Sequence, residues 1–200
     1  MSENTDFNPP ATPWPLLADW FAAAEKSEIN DPNAMTLATV GADGMPSARI
    51  MLLKGYDENG FVFFTNRTSH KGEQLAATGK AALCFHWKSL RRQIRVEGEV
   101  SPVSDSESDD YFSTRPRGSQ IGAWASRQSQ PLASRDQLEQ GVRDVEKAYE
   151  GKPVPRPPHW GGYLLTPKLI ECWQDRPFRL HDRVVYSWQK DHWKVERLYP

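Results

Sequence analysis

Positive side chains occur at three places in this chain where folding alone has no need of them. The first is Ser69-His70-Lys71, at the start of a predicted short helix. Lysine is disfavoured there because the N-terminal end of a helix already carries partial positive charge. The free backbone N–H groups of such an end bind anions, most often phosphate. The triplet therefore predicts a phosphate site, with a solvated lysine at a helix start as the alternative.

The second place is the segment that runs from Arg179 to Arg183. Alternate residues of a strand share a face, so a strand here would line up Arg179, His181 and Arg183 on one side. Like charges at that spacing repel each other unless carboxylates on a neighbouring strand or a bound anion compensate them. The segment predicts one of these two, and the pattern does not choose between them.

The third place is the turn Arg115-Pro116-Arg117-Gly118-Ser119, which follows Tyr111. It is predicted to end a helix and to bring together a guanidinium, hydroxyls and backbone N–H groups. Charge-assisted hydrogen bonds of this kind contribute roughly 1.5–3 kcal/mol each. The turn predicts a phosphate grip, with an ordinary basic loop as the alternative.

A fourth, weaker element is the strand predicted over residues 49–54. Its two ends have opposite parity, so Arg49 and Lys54 are expected to project to opposite faces and to serve different groups.

Motifs of several other site classes are absent from the sequence. It contains no GxGxxG, no Walker loop, no metal-ligand spacing and no nucleophile elbow. The balance of 25 basic against 26 acidic residues argues against broad binding to nucleic acid or to a membrane surface. The residues alone thus predict local phosphate sites and no metal. They leave open whether the phosphate belongs to a cofactor, to a substrate or to both.

The chain that must position these sites is predicted to be mainly β with flanking helices, an α+β protein. Residues 1–13 are polar and rich in proline and are expected to form a flexible arm, and residues 14–200 to form a single domain. Segments in which every second residue is apolar alternate with turns, including glycine turns at residues 41–44 and 161–162. This arrangement favours an antiparallel barrel. Strands are predicted at residues 35–40, 48–56, 61–65, 81–87, 93–100, 162–165, 170–174, 179–187 and 193–197. Helices are predicted at residues 14–26, 69–78 and 134–150, with another opening in the acidic run 104–110.

The cysteines and the hydropathy of the chain indicate the cellular compartment in which the protein is expected. Cys84 and Cys172 lie far apart and are predicted to be free thiols. No apolar stretch approaches the roughly 20 residues that span a bilayer, and the N-terminal residues lack the pattern of a signal peptide. A reduced, cytoplasmic setting is expected.

Several motifs together resemble one known family. Ile170-Glu171-Cys172-Trp173-Gln174 followed by Arg179-Leu180-His181-Asp182-Arg183 resembles the signature of the pyridoxamine 5′-phosphate oxidases. From about residue 15 to the end, further matching motifs follow in family order and spacing, at residues 49–54, 63–66, 69–71, 92–93, 111–117, 119–124, 128–129, 160–162 and 197–200. The resemblance implies an FMN-binding split barrel of antiparallel Greek-key topology that works as a homodimer with FMN between the subunits.

The resemblance also implies roles for individual residues. Arg49 and Lys71 would hold the FMN phosphate, with His70 and Ser129 nearby. The remaining FMN contacts would come from Ile50, Met51, Leu52, Leu53, Lys54, Phe64, Thr65, Gln93, Gln128, Trp173 and Arg183. The substrate phosphate would be held by Lys54, Tyr111, Arg115 and Ser119, while Arg179 and His181 would cover the pyridine ring and serve as the catalytic pair.

The implied reaction is oxidation of pyridoxamine and pyridoxine 5′-phosphates to pyridoxal 5′-phosphate, the cofactor form of vitamin B6. A hydride leaves the C4′ carbon for the flavin, and O2 reoxidises the flavin with release of H2O2; the amine also releases ammonia. Two other functions are to be weighed against it. One is an oxidase of the same fold that acts on another substrate, as in phenazine biosynthesis, and the other is a cofactor carrier without turnover.

Three departures from the family pattern are visible. His70 stands where many relatives have arginine, which makes one phosphate contact weaker or dependent on protonation. Cys172 stands where phenylalanine is usual. The N-terminal arm lacks the segment bearing arginine and tyrosine that closes over the substrate in some members.

Overall fold

A computed structural model describes residues 8–200. The helices are α1 (Trp14–Ser27), α2 (His70–Thr78), α3 (Asp105–Thr114), α4 (Arg117–Ala125) and α5 (Arg135–Ala148). The strands are β1 (Ala34–Val40), β2 (Pro46–Leu52), β3 (Gly55–Asp57), β4 (Gly60–Asn66), β5 (Lys80–Trp87), β6 (Arg92–Pro102), β7 (Trp160–Gln174), β8 (Asp182–Gln189) and β9 (His192–Arg197). The arm predicted for residues 1–13 falls partly outside the described residues.

The strands form one antiparallel sheet in the order β2-β1-β5-β6-β7-β4-β3. β7 is the longest strand, and along one edge it pairs first with β4 and then with β8, which in turn pairs with β9. Only Leu53 and Lys54 separate β2 from β3, so the two ends of the sheet are joined and the sheet curves into a barrel. The predicted mainly β class with an antiparallel barrel is confirmed.

Alternation along the central strands separates a core face from an outer face. Ile94 and Val96 of β6, like Ile170 and Cys172 of β7, are fully buried in the core. The residues between them therefore lie on the opposite face of the sheet. Helix α1 packs Leu17, Trp20 and Phe21 into the same core.

The strand predicted over residues 48–56 is two strands in the structure. β2 pairs with β1 and ends at Leu52. The chain then changes partner, because Leu53 N–H donates to Asn33 and Lys54 N–H donates to Val62 of β4. Lys54 thus lies between the strands, and the parity argument that linked it to Arg49 was wrong. The change of partner depends on contacts with distant strands, which the local pattern does not contain.

The strand predicted over residues 179–187 begins only at Asp182. Pro177–Arg179 form a 3-10 turn closed by a hydrogen bond from Leu180 N–H to the Pro177 carbonyl. Phe178 and Arg179 have φ values of 59° and 63°, which no strand residue adopts. The expected row of Arg179, His181 and Arg183 along one strand face was therefore wrong.

Two further differences from the predicted elements concern β7 and helix α4. Residues 162–165 and 170–174, predicted as separate strands, belong to the continuous β7, so Gly161 and Gly162 are strand residues and not a turn. The turn after Arg115 leads directly into α4, which was not predicted. Gly118 lowers local helix propensity, and the helix is held by packing of Ile121 in a second small core with Phe112.

No helix among residues 8–200 is long and apolar enough to cross a membrane. Cys84 and Cys172 are both free thiols, as predicted.

Candidate active site

A cavity of about 720 Å³ opens between β2, β4 and the helices α3 and α4. Half of the predicted site residues line it, and they come from four separate parts of the chain. These are Ile50, Met51, Leu52, Lys54, Phe64, Thr65, Tyr111, Arg115, Ser119 and Gln128. Leu53 lies apart from them, because its side chain is buried in the barrel core. The structure therefore brings the predicted substrate-phosphate residues and part of the predicted FMN residues to one place.

Lys71 lies just behind the wall of this cavity. Its ammonium group donates hydrogen bonds of 3.3 Å to Thr65, Ser69 and Gln128, and the residue is only 7 % exposed. Burial lowers the pKa of Lys71, and the nearby Arg49 lowers it further. Within residues 8–200 neither cation forms an ion pair with a carboxylate. A buried positive charge without a counter-ion calls for an anion from outside the chain.

Arg49 is held in one orientation by a set of neutral groups. Its guanidinium donates to the Thr39 hydroxyl at 2.6 Å, the Ser47 hydroxyl at 2.6 Å and the Leu37 carbonyl at 3.2 Å. The side-chain oxygen of Gln74 accepts hydrogen bonds from both hydroxyls. Thr39, Ser47 and Gln74 were not singled out from the sequence, and the only signal was a polar threonine in an apolar strand.

The predicted helix start at Ser69 is confirmed. Its hydroxyl caps α2 by accepting from Gly72 N–H, and a Cβ atom at Gly72 would lie 2.2 Å from the Arg67 carbonyl, so only glycine fits there. His70 is exposed and its side chain has no hydrogen-bond partner among the described residues. Ser129 is also exposed, in a left-handed conformation with φ of 72°. Neither joins Lys71 in this structure.

Arg115 forms a second centre of positive charge in the cavity wall. Its guanidinium lies over the rings of Trp160 and Phe112, 4.6 and 5.5 Å from their centroids. One terminal nitrogen, Nη1, is buried without a hydrogen-bond partner among residues 8–200, and burial lowers the pKa of the side chain. Lys54 lies nearby in the lining, with its ammonium 6.0 Å from the centre of the Tyr111 ring. A buried donor without an acceptor fits a site whose acceptor is a ligand.

Three stacked aromatic rings form one wall of the cavity. Phe64 stacks on Tyr111 with a centroid distance of 4.1 Å and on Trp160 at 5.4 Å. Gly162 lies opposite Phe64 across the β4–β7 pair, and a Cβ atom there would be 2.6 Å from the Phe64 ring. Gly162, which looked like part of a turn, is therefore what lets the stack approach the sheet.

The other predicted FMN residues lie on the outer face of the sheet, outside the cavity. Gln93, Trp173 and Arg183 are direct neighbours across β6, β7 and β8. Glu171 accepts a 2.7 Å hydrogen bond from Arg183, and this bond raises the pKa of the Arg183 guanidinium. The segment between β7 and β8 completes this group.

His181 packs against this outer group and Arg179 extends from it. The His181 ring lies 4.7 Å from that of Trp173, and its Nδ1 accepts a 3.2 Å hydrogen bond from Arg176 N–H. A carboxylate oxygen of Asp175 lies 3.2 Å from the same nitrogen. Arg179 is exposed on the 3-10 turn. Asp175 and Arg176 were not singled out from the sequence, because only the turn brings them to the imidazole.

Within one chain, the residues that line the cavity and the group on the outer face of the sheet lie far apart. Trp160, in the cavity wall, and Trp173, in the outer group, lie near opposite ends of β7. At about 3.3 Å per residue, the strand between them covers on the order of 40 Å. One group carries the cavity with Lys54 and Arg115, and the other carries Arg179, His181 and Arg183.

Comparison with known proteins assigns the family. The family model described as pyridoxamine 5′-phosphate oxidase matches residues 21–149. The chain belongs to the pyridoxamine 5′-phosphate oxidase family. A second model, described as the pyridoxine 5′-phosphate oxidase C-terminal dimerisation region, matches residues 160–200, and this segment contains the outer group's Trp173, Arg179, His181 and Arg183.

Relatives in the family are similar over the whole chain. A protein of Mesorhizobium japonicum named pyridoxine/pyridoxamine 5′-phosphate oxidase is 57% identical over 197 residues, which cover 98% of this chain and 96% of that one. A protein of Brucella canis with the same name is 54% identical and covers 100% of this chain and 99% of its own.

Solved structures agree with the barrel. PhzG from Burkholderia lata, in complex with tetrahydrophenazine-1-carboxylic acid, has a TM-score of 0.91 and 34% identity over 96% of this chain and 95% of its own. A Nostoc punctiforme protein described as pyridoxamine 5′-phosphate oxidase-related and FMN binding has a TM-score of 0.74 over 94% of this chain and 98% of its own. At 20% identity the latter likeness shows the fold alone.

Proposed function

We propose that this protein is a pyridoxal 5′-phosphate synthase that oxidises pyridoxine and pyridoxamine 5′-phosphates with FMN and O2. The overall reaction converts the C4′ alcohol and O2 to aldehyde and H2O2, and the C4′ amine, O2 and water to aldehyde, ammonia and H2O2. The observation that carries the proposal is a pair of cationic centres at one cavity, Arg49 with Lys71 and Lys54 with Arg115, that no carboxylate within residues 8–200 pairs with. The names of the close relatives support the substrate pair.

The residues of the first centre fit the phosphate of FMN. Lys71 and Arg49 supply charge that no carboxylate among the described residues pairs with, and Thr65 and Gln128 supply neutral groups beside them. A bound phosphate would stabilise the protonated form of Lys71, which burial disfavours. His70 and Ser129 stay predictions as further contacts, as do residues 50–53. When bound, FMN supplies the two-electron redox chemistry, and the protein contributes position and charge.

The second centre fits the phosphate of the substrate. Arg115, Lys54, Tyr111 and Ser119 line the same cavity, and the unpartnered nitrogen of Arg115 is a donor ready for a phosphate oxygen. A substrate without an anionic group would leave this buried nitrogen without an acceptor.

Replacing Arg115 by glutamine is therefore expected to raise KM for pyridoxine 5′-phosphate about 10- to 100-fold, the loss of one charge-assisted hydrogen bond of roughly 1.5–3 kcal/mol. FMN affinity should not change, since Arg115 belongs to the second centre. Steady-state kinetics and flavin titration check the two expectations separately. If the variant lost affinity for FMN and kept its KM for the substrate, Arg115 would belong to the first centre and its assignment to the substrate phosphate would be wrong.

The outer group completes the site only if a second copy of the chain supplies it. We propose a homodimer with FMN between the subunits, in which Gln93, Trp173 and Arg183 of one subunit contact the flavin bound by the other. Arg179 and His181 would then cover the substrate ring, Arg179 orienting it and favouring hydride departure. The match of residues 160–200 to a dimerisation region supports this arrangement. A single domain over residues 14–200 and a cytoplasmic setting, with which the free thiols agree, remain part of the proposal.

A second candidate is an oxidase of a non-phosphorylated ring compound, favoured by the likeness to the phenazine-bound structure. Such an enzyme would not need Lys54 and Arg115 to bind a substrate phosphate. A carrier without turnover is the other alternative, and it predicts bound flavin without oxygen consumption.

An aerobic assay of the purified protein with pyridoxine and pyridoxamine 5′-phosphates tests all three. We expect aldehyde and H2O2 in equal amounts from both substrates, and none from unphosphorylated pyridoxine at the same concentration. Equal rates with and without the phosphate would favour the second candidate. A yellow protein that consumed no oxygen would favour the carrier.

A further inference from the structure

Glu171 is a buried carboxylate on the outer face of the sheet that the proposed reaction does not use. It is 4% exposed, although its neighbours along β7, Ile170 and Cys172, point to the opposite face and into the core. Two guanidinium groups bury it. Arg95 donates to one carboxylate oxygen at 2.9 Å, and Arg183 donates to the other at 2.7 Å.

The position of Glu171 follows from the strand register. Gln93, Trp173 and Arg183 form a row across β6, β7 and β8, and Arg95 and Glu171 are a directly opposed pair on the same face, one step along. Arg183 reaches back from its own row to Glu171. The carboxylate thus lies on the same face, in the row next to the residues that the proposed function assigns to the partner's flavin.

The hydrogen bonds of Arg183 leave one part of its guanidinium free. Nε donates to Glu171, and Nη1 donates to the Tyr199 carbonyl at 3.1 Å. Leu198 N–H donates to the Arg183 carbonyl, which ties the same segment to the start of β8. The remaining nitrogen, Nη2, has no partner among residues 8–200. Because a guanidinium is planar, fixing two of its nitrogens fixes the direction of the third.

We propose that Glu171 is a positioning residue for FMN binding, and that it acts through Arg183 by directing the free Nη2 of that side chain at the flavin held by the other subunit. The inference rests on the proposed function for the presence of FMN. Without Glu171, Arg183 and Arg95 would repel each other, and Arg183 would keep only its bond to Tyr199. The affinity for FMN would fall although Glu171 does not touch it.

The test is a double-mutant cycle read by the FMN dissociation constant, measured from flavin fluorescence as the FMN-loaded protein is diluted. We expect Glu171→Gln to weaken FMN binding roughly 10-fold, the size of a coupling between contacting groups. Arg183→Ala should weaken it at least as much. In the Arg183→Ala background, Glu171→Gln should cause no further loss, since the group through which it acts is gone.

Glu97 offers a matched control. It accepts from Arg95 at 2.7 Å, as Glu171 does, but it has no contact with Arg183. Glu97→Gln should therefore leave FMN affinity unchanged. If Glu171→Gln does not fold, Glu171→Asp keeps the charge on a side chain too short to serve both arginines, and the same cycle applies to it.

Each outcome decides the question. Equal losses from the Glu171 substitution in the wild-type and Arg183→Ala backgrounds would mean a general structural role and would overturn the inference, as would wild-type affinity in Glu171→Gln. A wild-type protein that takes up no FMN would overturn the proposed function itself, and this is measured before any variant.

Discussion

Replacing Arg179 by alanine is expected to lower kcat/KM for pyridoxamine 5′-phosphate about 100-fold or more, the usual cost of losing a group that stabilises a transition state. FMN should stay bound with wild-type affinity. Arg179 is exposed on a turn with no ion pair among residues 8–200, so the fold has no use for its charge. The proposed function gives it a place over the substrate ring and not over the flavin.

The turn itself should survive this substitution. Arg179 already adopts a left-handed φ of 63°, and alanine, which also carries a Cβ atom, adds little strain there. Arg179→Lys keeps a positive charge and should recover part of the activity. Lys190→Ala is the matched control, since Lys190 is another exposed basic residue with positive φ, in the β8–β9 hairpin. Loss of flavin in Arg179→Ala equal to its loss of turnover would contradict the assignment to substrate.

Replacing Lys71 by alanine is expected to have the opposite signature, a rise of about 10- to 100-fold in the FMN dissociation constant. Its ammonium is buried beside Arg49 with only neutral hydrogen-bond partners, which is costly unless an anion completes the site. Protein saturated with FMN should recover most of its turnover, because the lost contact is made to the cofactor and not to the reacting carbon.

Two further variants separate charge from packing. Lys71→Met keeps the apolar stem without the charge and should lose FMN as Lys71→Ala does, with less effect on thermal stability. Lys88→Ala removes an exposed lysine and should bind FMN like the wild type. A flavin titration of Lys71→Ala that matched the wild type would show that the phosphate is held elsewhere.

Local chemistry could be predicted from the sequence because it depends on neighbours in the chain. The polar cap at Ser69, the helix that follows it and the alternation of Gln93, Ile94, Arg95 and Val96 are all visible in the order of residues, and the structure confirms them. The excess of positive charge at Lys71 and Arg115 was equally visible. The split-barrel family and its residue assignments came from motifs matched along most of the chain.

What failed was the local geometry of two segments, for two different reasons. The 49–54 segment breaks at Leu53 because the chain passes from β1 to β4, which are distant partners. Arg179 lies in a turn that is closed locally, by the hydrogen bond from Leu180 N–H to the Pro177 carbonyl. In neither case does the hydrophobic pattern carry the information. Gly162 looked like turn material, although it is the ring of Phe64, nearly a hundred residues earlier, that makes glycine necessary.

By itself the sequence determined which residues carry charge and which face of each strand is apolar. It predicted phosphate sites at the helix start of Ser69 and at the basic turn after Tyr111, each with a solvated basic segment as the alternative. Only the tertiary structure decided that, within residues 8–200, Lys71 lies beside Arg49 without a paired carboxylate and a nitrogen of Arg115 is buried without a hydrogen-bond partner. It also decided that Glu171 binds Arg183. The physical reason is that charge and hydropathy belong to each residue, whereas burial and pairing arise from strand register between segments far apart in the chain.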